Sequence, residues 1–72
     1  MSKLTKYILL ALYNHEDKKV GEYEWVGEVE RHIQSEGHYI KGYSRERGII
    51  FIHTESENVF YSVKLKIKFQ EI

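Results

Sequence analysis

The hydropathy pattern is most regular toward the end of the chain. From Val59 to Phe69 every odd position is apolar or aromatic: Val59, Tyr61, Val63, Leu65, Ile67 and Phe69. Four of the five even positions are polar, Ser62, Lys64, Lys66 and Lys68, with Phe60 the exception. Period two marks a strand with one buried face. At about 3.3 Å per residue the run spans roughly 35 Å, longer than most strands. Such a strand can bridge two sheets or reach across a subunit boundary. Before it, Gly48 to Thr54 is apolar on both sides, which suits a strand covered on each face. The polar break Glu55-Ser56-Glu57-Asn58 predicts a hairpin between the two. His38 to Tyr43 is a third β-prone run, joined to the next by Arg45-Glu46-Arg47-Gly48. Gly48 suits the left-handed position of a type I turn with a bulge.

Two segments are less regular. Tyr7 to Tyr13 reads as a buried strand, with a short helix over 4–14 as the other reading. Residues 22–36 carry two competing patterns. As a strand, Tyr23, Trp25, Val29 and Ile33 share one face and Glu22, Glu24, Glu28, Glu30 and His32 the other. As a helix, Tyr23, Val26, Val29 and Ile33 align, and Gly37 would be the terminating glycine. A helix here lacks a Ser, Thr, Asp or Asn cap and carries Gly27, which costs about 1 kcal/mol relative to Ala. Its first half is aromatic and β-branched, which favours strand. The expected fold is therefore all-β: a five-stranded antiparallel meander with strands near 5–13, 20–33, 38–44, 48–54 and 58–70. It would form a small SH3-like or OB-like barrel, or a curled sheet. The alternative is α+β, with one helix near 24–36 on a four-stranded antiparallel sheet.

At 72 residues, one domain over 1–72 is expected. A domain this short buries only about 60 % of its extended-chain surface, and small folds usually need a further staple. There is no Cys, hence no disulfide, thiolate metal site or Cys nucleophile. A homo-oligomer is the staple that remains. No uncharged apolar run approaches the roughly 18 residues of a membrane helix, and no signal peptide is read at the start. A cytoplasmic protein with no membrane partner is expected.

The 11 basic and 11 acidic side chains cancel, but unevenly. Residues 14–36 are acidic and the flanking segments basic. A neutral whole argues against non-specific duplex binding, which needs many uncompensated cations. No Gly-rich phosphate loop, nucleophile elbow or His-Glu-x-x-His motif is present. Glu28 and Glu30 would face one side of a strand, but an exposed strand row normally looks like this. His32 and His38 flank a predicted turn, yet zinc needs three or four ligands and the spacing supplies two. No catalytic residue, metal or cofactor is expected.

Three patterns point to binding. The acidic and aromatic stretch Glu22, Glu24, Trp25, Glu28 and Glu30 suits a basic protein surface. Lys64, Lys66 and Lys68 stand about 7 Å apart on one strand face, a row that can follow a single-stranded phosphate backbone while Tyr or Phe on neighbouring strands stack bases. Lysine is also the common guard of an edge strand. Arg45 and Arg47 can clamp an anion, with His38 and Tyr43 converging on it if subunits assemble. The first expectation is a non-enzymatic binding module acting through protein contacts, its own copies included. In size and makeup it resembles the small accessory and inhibitor proteins of phages and mobile elements, a likeness of style without a motif. The alternatives are an oligomeric binder of a small anionic ligand or nucleotide, and a binder of single-stranded nucleic acid.

Overall fold

The computed structural model describes residues 3–71. Five strands and one helix follow in the order β1 (Leu4–Tyr13), β2 (Lys19–Tyr23), α1 (Val26–Ser35), β3 (Ile40–Glu46), β4 (Ile49–Thr54) and β5 (Phe60–Glu71). The strands form one antiparallel sheet in the order β2-β1-β5-β4-β3. Strands β2 and β3 are its two edges, so the sheet is open and no barrel closes. Nor is the chain a simple meander, because β5 inserts between β4 and β1. The helix carries the chain across one face from edge β2 to edge β3.

The segment expected as one strand over 20–33 divides into a short strand and a helix. Helix α1 starts at Trp25, whose side chain makes no capping bond. It is held at its other end. Gly37 takes φ 86°, its N–H bonds Gln34 O at 2.9 Å, and His38 N–H bonds Ile33 O at 3.3 Å. These two bonds are the Schellman termination, which needs a left-handed residue that glycine supplies at least cost. The helix also aligns Val29 and Ile33, four apart, on one stripe, and both are buried. Burial of that pair outweighs the β preference of Tyr23 to Val26 and the cost of Gly27. The α+β alternative thus has its helix, but over five strands rather than four.

The inner face, under the helix, carries Leu10 and Leu12 of β1, Ile50 and Ile52 of β4, and Tyr61 and Val63 of β5. Leu12, Val29 and Ile33 are the largest side chains sealed completely. Two cross-links set the helix on this face: Tyr23 Oη lies 2.9 Å from His32 Nδ1, and Tyr43 Oη donates to Glu30 Oε2 at 3.1 Å. At the β3–β4 turn Glu46 pairs with Ile49, and both Arg47 (φ 53°) and Gly48 (φ 79°) are left-handed. That is a two-residue type I′ turn, tighter than the bulged turn expected from Gly48 alone.

Ile33→Ala removes a sealed side chain at the centre of the helix stripe. It is expected to lower unfolding stability by about 2–5 kcal/mol in urea titration. Glu28→Ala on the wet side of the same helix should change it by less than about 0.5 kcal/mol.

Candidate functional site

The inner face is longer than its cover. A helix of 10 residues is about 15 Å long, and the molecule is 51 Å in its longest direction. Strands β1 and β5 pair along the whole of β1, from Leu4 with Glu71 to Tyr13 with Ser62. Strand β2 reaches β1 only as far as Leu10, and β4 reaches β5 only as far as Val63. Beyond those points β1 and β5 run on as a two-stranded ribbon. Its inner side presents Ile8, Leu65, Ile67 and Phe69, between 48 % and 64 % exposed. Trp25 and Val26, at the front of the helix, continue the apolar strip at 69 % and 58 % exposed. Trp25 borders Ile8 in a shallow depression. Behind Val26 an apolar cleft of about 300 Å³ opens between helix and sheet, with Leu10, Val29, Ile50 and Val63 among its walls. Lys6, in register with Phe69, lies on the same side of the ribbon tip.

The outer face has no covering element among the described residues. Lys64, Lys66 and Lys68 stand on it in register with Ala11, Leu9 and Tyr7. The row begins where β4 ends at Val63, so it stands on the two-stranded ribbon, where one side of β5 is unpaired and lysines suit the guarding of an open edge. None of the three has an ion-pair partner among the described residues; Lys64 Nζ instead sits 4.6 Å above the Tyr13 ring. Glu22 is the nearby acid, and it pairs with Lys19. The Lys19 hydrogen bond holds the Glu22 carboxyl below its ordinary range against some desolvation, with the charges of Lys19, Lys68 and Lys66 adding to the effect.

The acidic stretch is only partly one surface. Glu22, Glu24, Trp25 and Glu28 border a single depression together with Arg31. Glu30 leaves them for Tyr43 on the other flank of the helix. Two residues apart share a face on a strand but point about 200° apart around a helix. Glu28 and Glu30 therefore separate as a direct result of the change from strand to helix. In Tyr43, burial raises the phenol pKa, and the hydrogen bond to Glu30 raises it further.

The anion-binding candidates do not converge within one chain. Arg45 is exposed on β3, Arg47 occupies the following turn, and the lysines lie on the outer face. His38 Nδ1 lies 3.0 Å from Glu55 Oε1, at the joint between helix and β3. The other Glu55 oxygen accepts Tyr39 N–H at 2.9 Å. His15, His32, Glu36 and His38 border one small hollow. Even so, no three His, Asp or Glu among the described residues come close enough to hold a metal ion. The structure also brings Ser44 Oγ to 2.8 Å from His53 Nε2 across β3 and β4, a pair that sequence spacing did not suggest. No hydrogen bond to the other His53 nitrogen is found among the described residues, so nothing there orients the ring as a base. No helix among those residues is long and apolar enough to cross a membrane.

The Glu55 cluster has a pH signature. The Tyr39 N–H bond, opposed by some desolvation and helped by His38, holds the Glu55 carboxyl below its ordinary value. A depressed carboxylate stabilises the fold above its unfolded pKa, and that contribution disappears as pH falls through the folded value. Glu55→Gln should therefore lower Tm at pH 7 and converge on the wild-type Tm near pH 3. An equal Tm gap at both pH values would show that the charge contributes nothing. Comparisons of the chain with protein-family profiles, with curated proteins and with solved structures return no match.

Proposed function

We propose that the protein is a non-enzymatic binding module that works through protein contacts, and that its first partner is a second copy of itself. The observation that carries this reading is the bare apolar strip of Ile8, Leu65, Ile67, Phe69, Trp25 and Val26. Six large apolar side chains, each about half exposed or more, lie along one strip, and contiguous exposed apolar surface of this kind marks protein interaction sites.

The strip is also self-complementary. Its helix end is acidic through Glu24 and Glu28, and its ribbon end carries Lys6 and Glu71 on the same side. Two copies related by a two-fold axis near Ile67 would stack their ribbons antiparallel, with Phe69 of each copy facing the exposed Leu65 of the other. Lys6 of each copy moves toward the helix-front carboxylates of the other. An isologous contact of this kind uses one patch twice. The acidic depression around Glu22, Glu24, Trp25 and Glu28 remains at the rim of the assembly, where a basic accessory partner can meet it.

Light scattering behind a sizing column is expected to return twice the 8.6 kDa chain mass at high micromolar concentration. The dimer should persist at high salt, because apolar burial dominates. Ile67→Glu with Phe69→Glu should give a folded monomer, since both side chains are exposed in the single chain. A monomer for the unaltered protein at that concentration would overturn self-association. An intact dimer in the double variant would remove the ribbon from the contact.

A further inference from the structure

We propose that the outer face of the sheet binds single-stranded nucleic acid, with phosphates along Lys64, Lys66 and Lys68 and bases stacked on Tyr7 and Phe60. This site lies opposite the apolar strip and does not depend on the self-association proposed for it. Three observations carry it.

The first is charge. Three lysines alternate along the ribbon part of β5, about 7 Å apart, with no carboxylate in ion-pair reach among the described residues. Glu22, the acid nearest to them, is occupied by Lys19. Lys66 and Lys68 gain an anionic partner without first losing an ion-pair partner, and Lys64 gives up only its place over the Tyr13 ring. Their repeat is comparable with that of successive phosphates in an extended strand, and counterion release favours the contact.

The second is the placement of aromatic rings. Tyr7 stands beside Lys68 at one end of the row. Tyr13 and Phe60 stand at the other, with Ser62 paired to Tyr13 between them and the row. Tyr7 and Phe60 are each 39 % exposed, and Lys64 holds its ammonium over Tyr13. A cationic track flanked by rings is the arrangement that sequence-tolerant single-strand binding uses.

The third is shape. The small side chains of Ala11 and Ser62 are 0 % and 7 % exposed, shielded by longer neighbours on the same face. The helix lies on the opposite face, and among the described residues no element protrudes from the outer face to enter a duplex groove. Unpaired bases, by contrast, can lie flat on it.

The test is fluorescence anisotropy of a labelled oligothymidine about a dozen nucleotides long, titrated with the protein from about 50 to about 200 mM salt. The expected slope of log K against log salt is about −2, from three contacts at about −0.7 each. Lys66→Ala should flatten the slope by about 0.7. Tyr7→Ala and Phe60→Ala should each weaken binding about tenfold and leave the slope unchanged, because stacking is uncharged. Thermal melts confirm that each variant is folded. Absence of binding at the low-salt end by the unaltered protein overturns the proposal. So does equal competition by heparin or polyglutamate, which would show a general polyanion surface with no part for bases. Binding that survives Lys64→Glu with Lys68→Glu would place the ligand elsewhere and likewise overturn it. Running the Ile67→Glu, Phe69→Glu variant in parallel separates this outcome from the state of the dimer.

Discussion

Strands β1 and β5 pair along ten residues, from Leu4 opposite Glu71 to Tyr13 opposite Ser62. Every other element is attached to that ladder. The β1–β2 hairpin hangs on one side of it and the β3–β4–β5 hairpins on the other. The two halves of the sheet are joined by backbone bonds only there. Because β2 and β3 end up at opposite edges, the chain between them has to cross a face, and ten helical residues make the crossing. The core forms where that helix meets the ladder: Leu12 and Val63 below, Val29 and Ile33 above.

The same ladder creates the surfaces. A strand gains about 3.3 Å per residue and a helix 1.5 Å. A twelve-residue β5 therefore outruns a ten-residue helix by a wide margin. The excess is a ribbon whose apolar side has no cover, and that mismatch of lengths underlies the proposed dimer. On the reverse side the lysines of β5 stand on the same ribbon, beyond the reach of β4. One alternating strand thus presents an apolar contact face and a cationic face back to back.

Several features were legible from side-chain order alone. Five antiparallel strands follow from period-two runs and polar breaks, and the β5 alternation was read over nearly its full length. The lysine row survived unchanged, because strand alternation places i and i+2 together whatever the sheet does around them. The acidic set did not survive whole. Glu28 and Glu30 were assigned to one face under a strand period, and the helix turned them apart. His38, Tyr43, Arg45 and Arg47 are expected to converge only between assembled subunits, and within one chain they stand apart. The Ser44–His53 contact could not be seen, because it depends on cross-strand register set by the type I′ turn at Arg47 and Gly48.

By itself the amino-acid order determined what is local: the apolar run of β4, the alternation of β5 and the polar breaks between strands. These follow from periodicity and backbone preference within a few residues. The tertiary structure decided the choice between strand and helix for Val26 to Ser35. Both periods fit that segment, and its local propensity favoured the wrong one. The helix prevailed because Val29 and Ile33 find Leu12, Ile52, Tyr61 and Val63 waiting on a sheet face, a burial that no neighbouring residue in sequence can supply. Strand order, and with it the bare ribbon that carries the lysine row, was likewise beyond local reading. It depends on β1 pairing with β5 across nearly the whole chain, and a contact between residues so distant in sequence leaves no trace in the pattern of either strand.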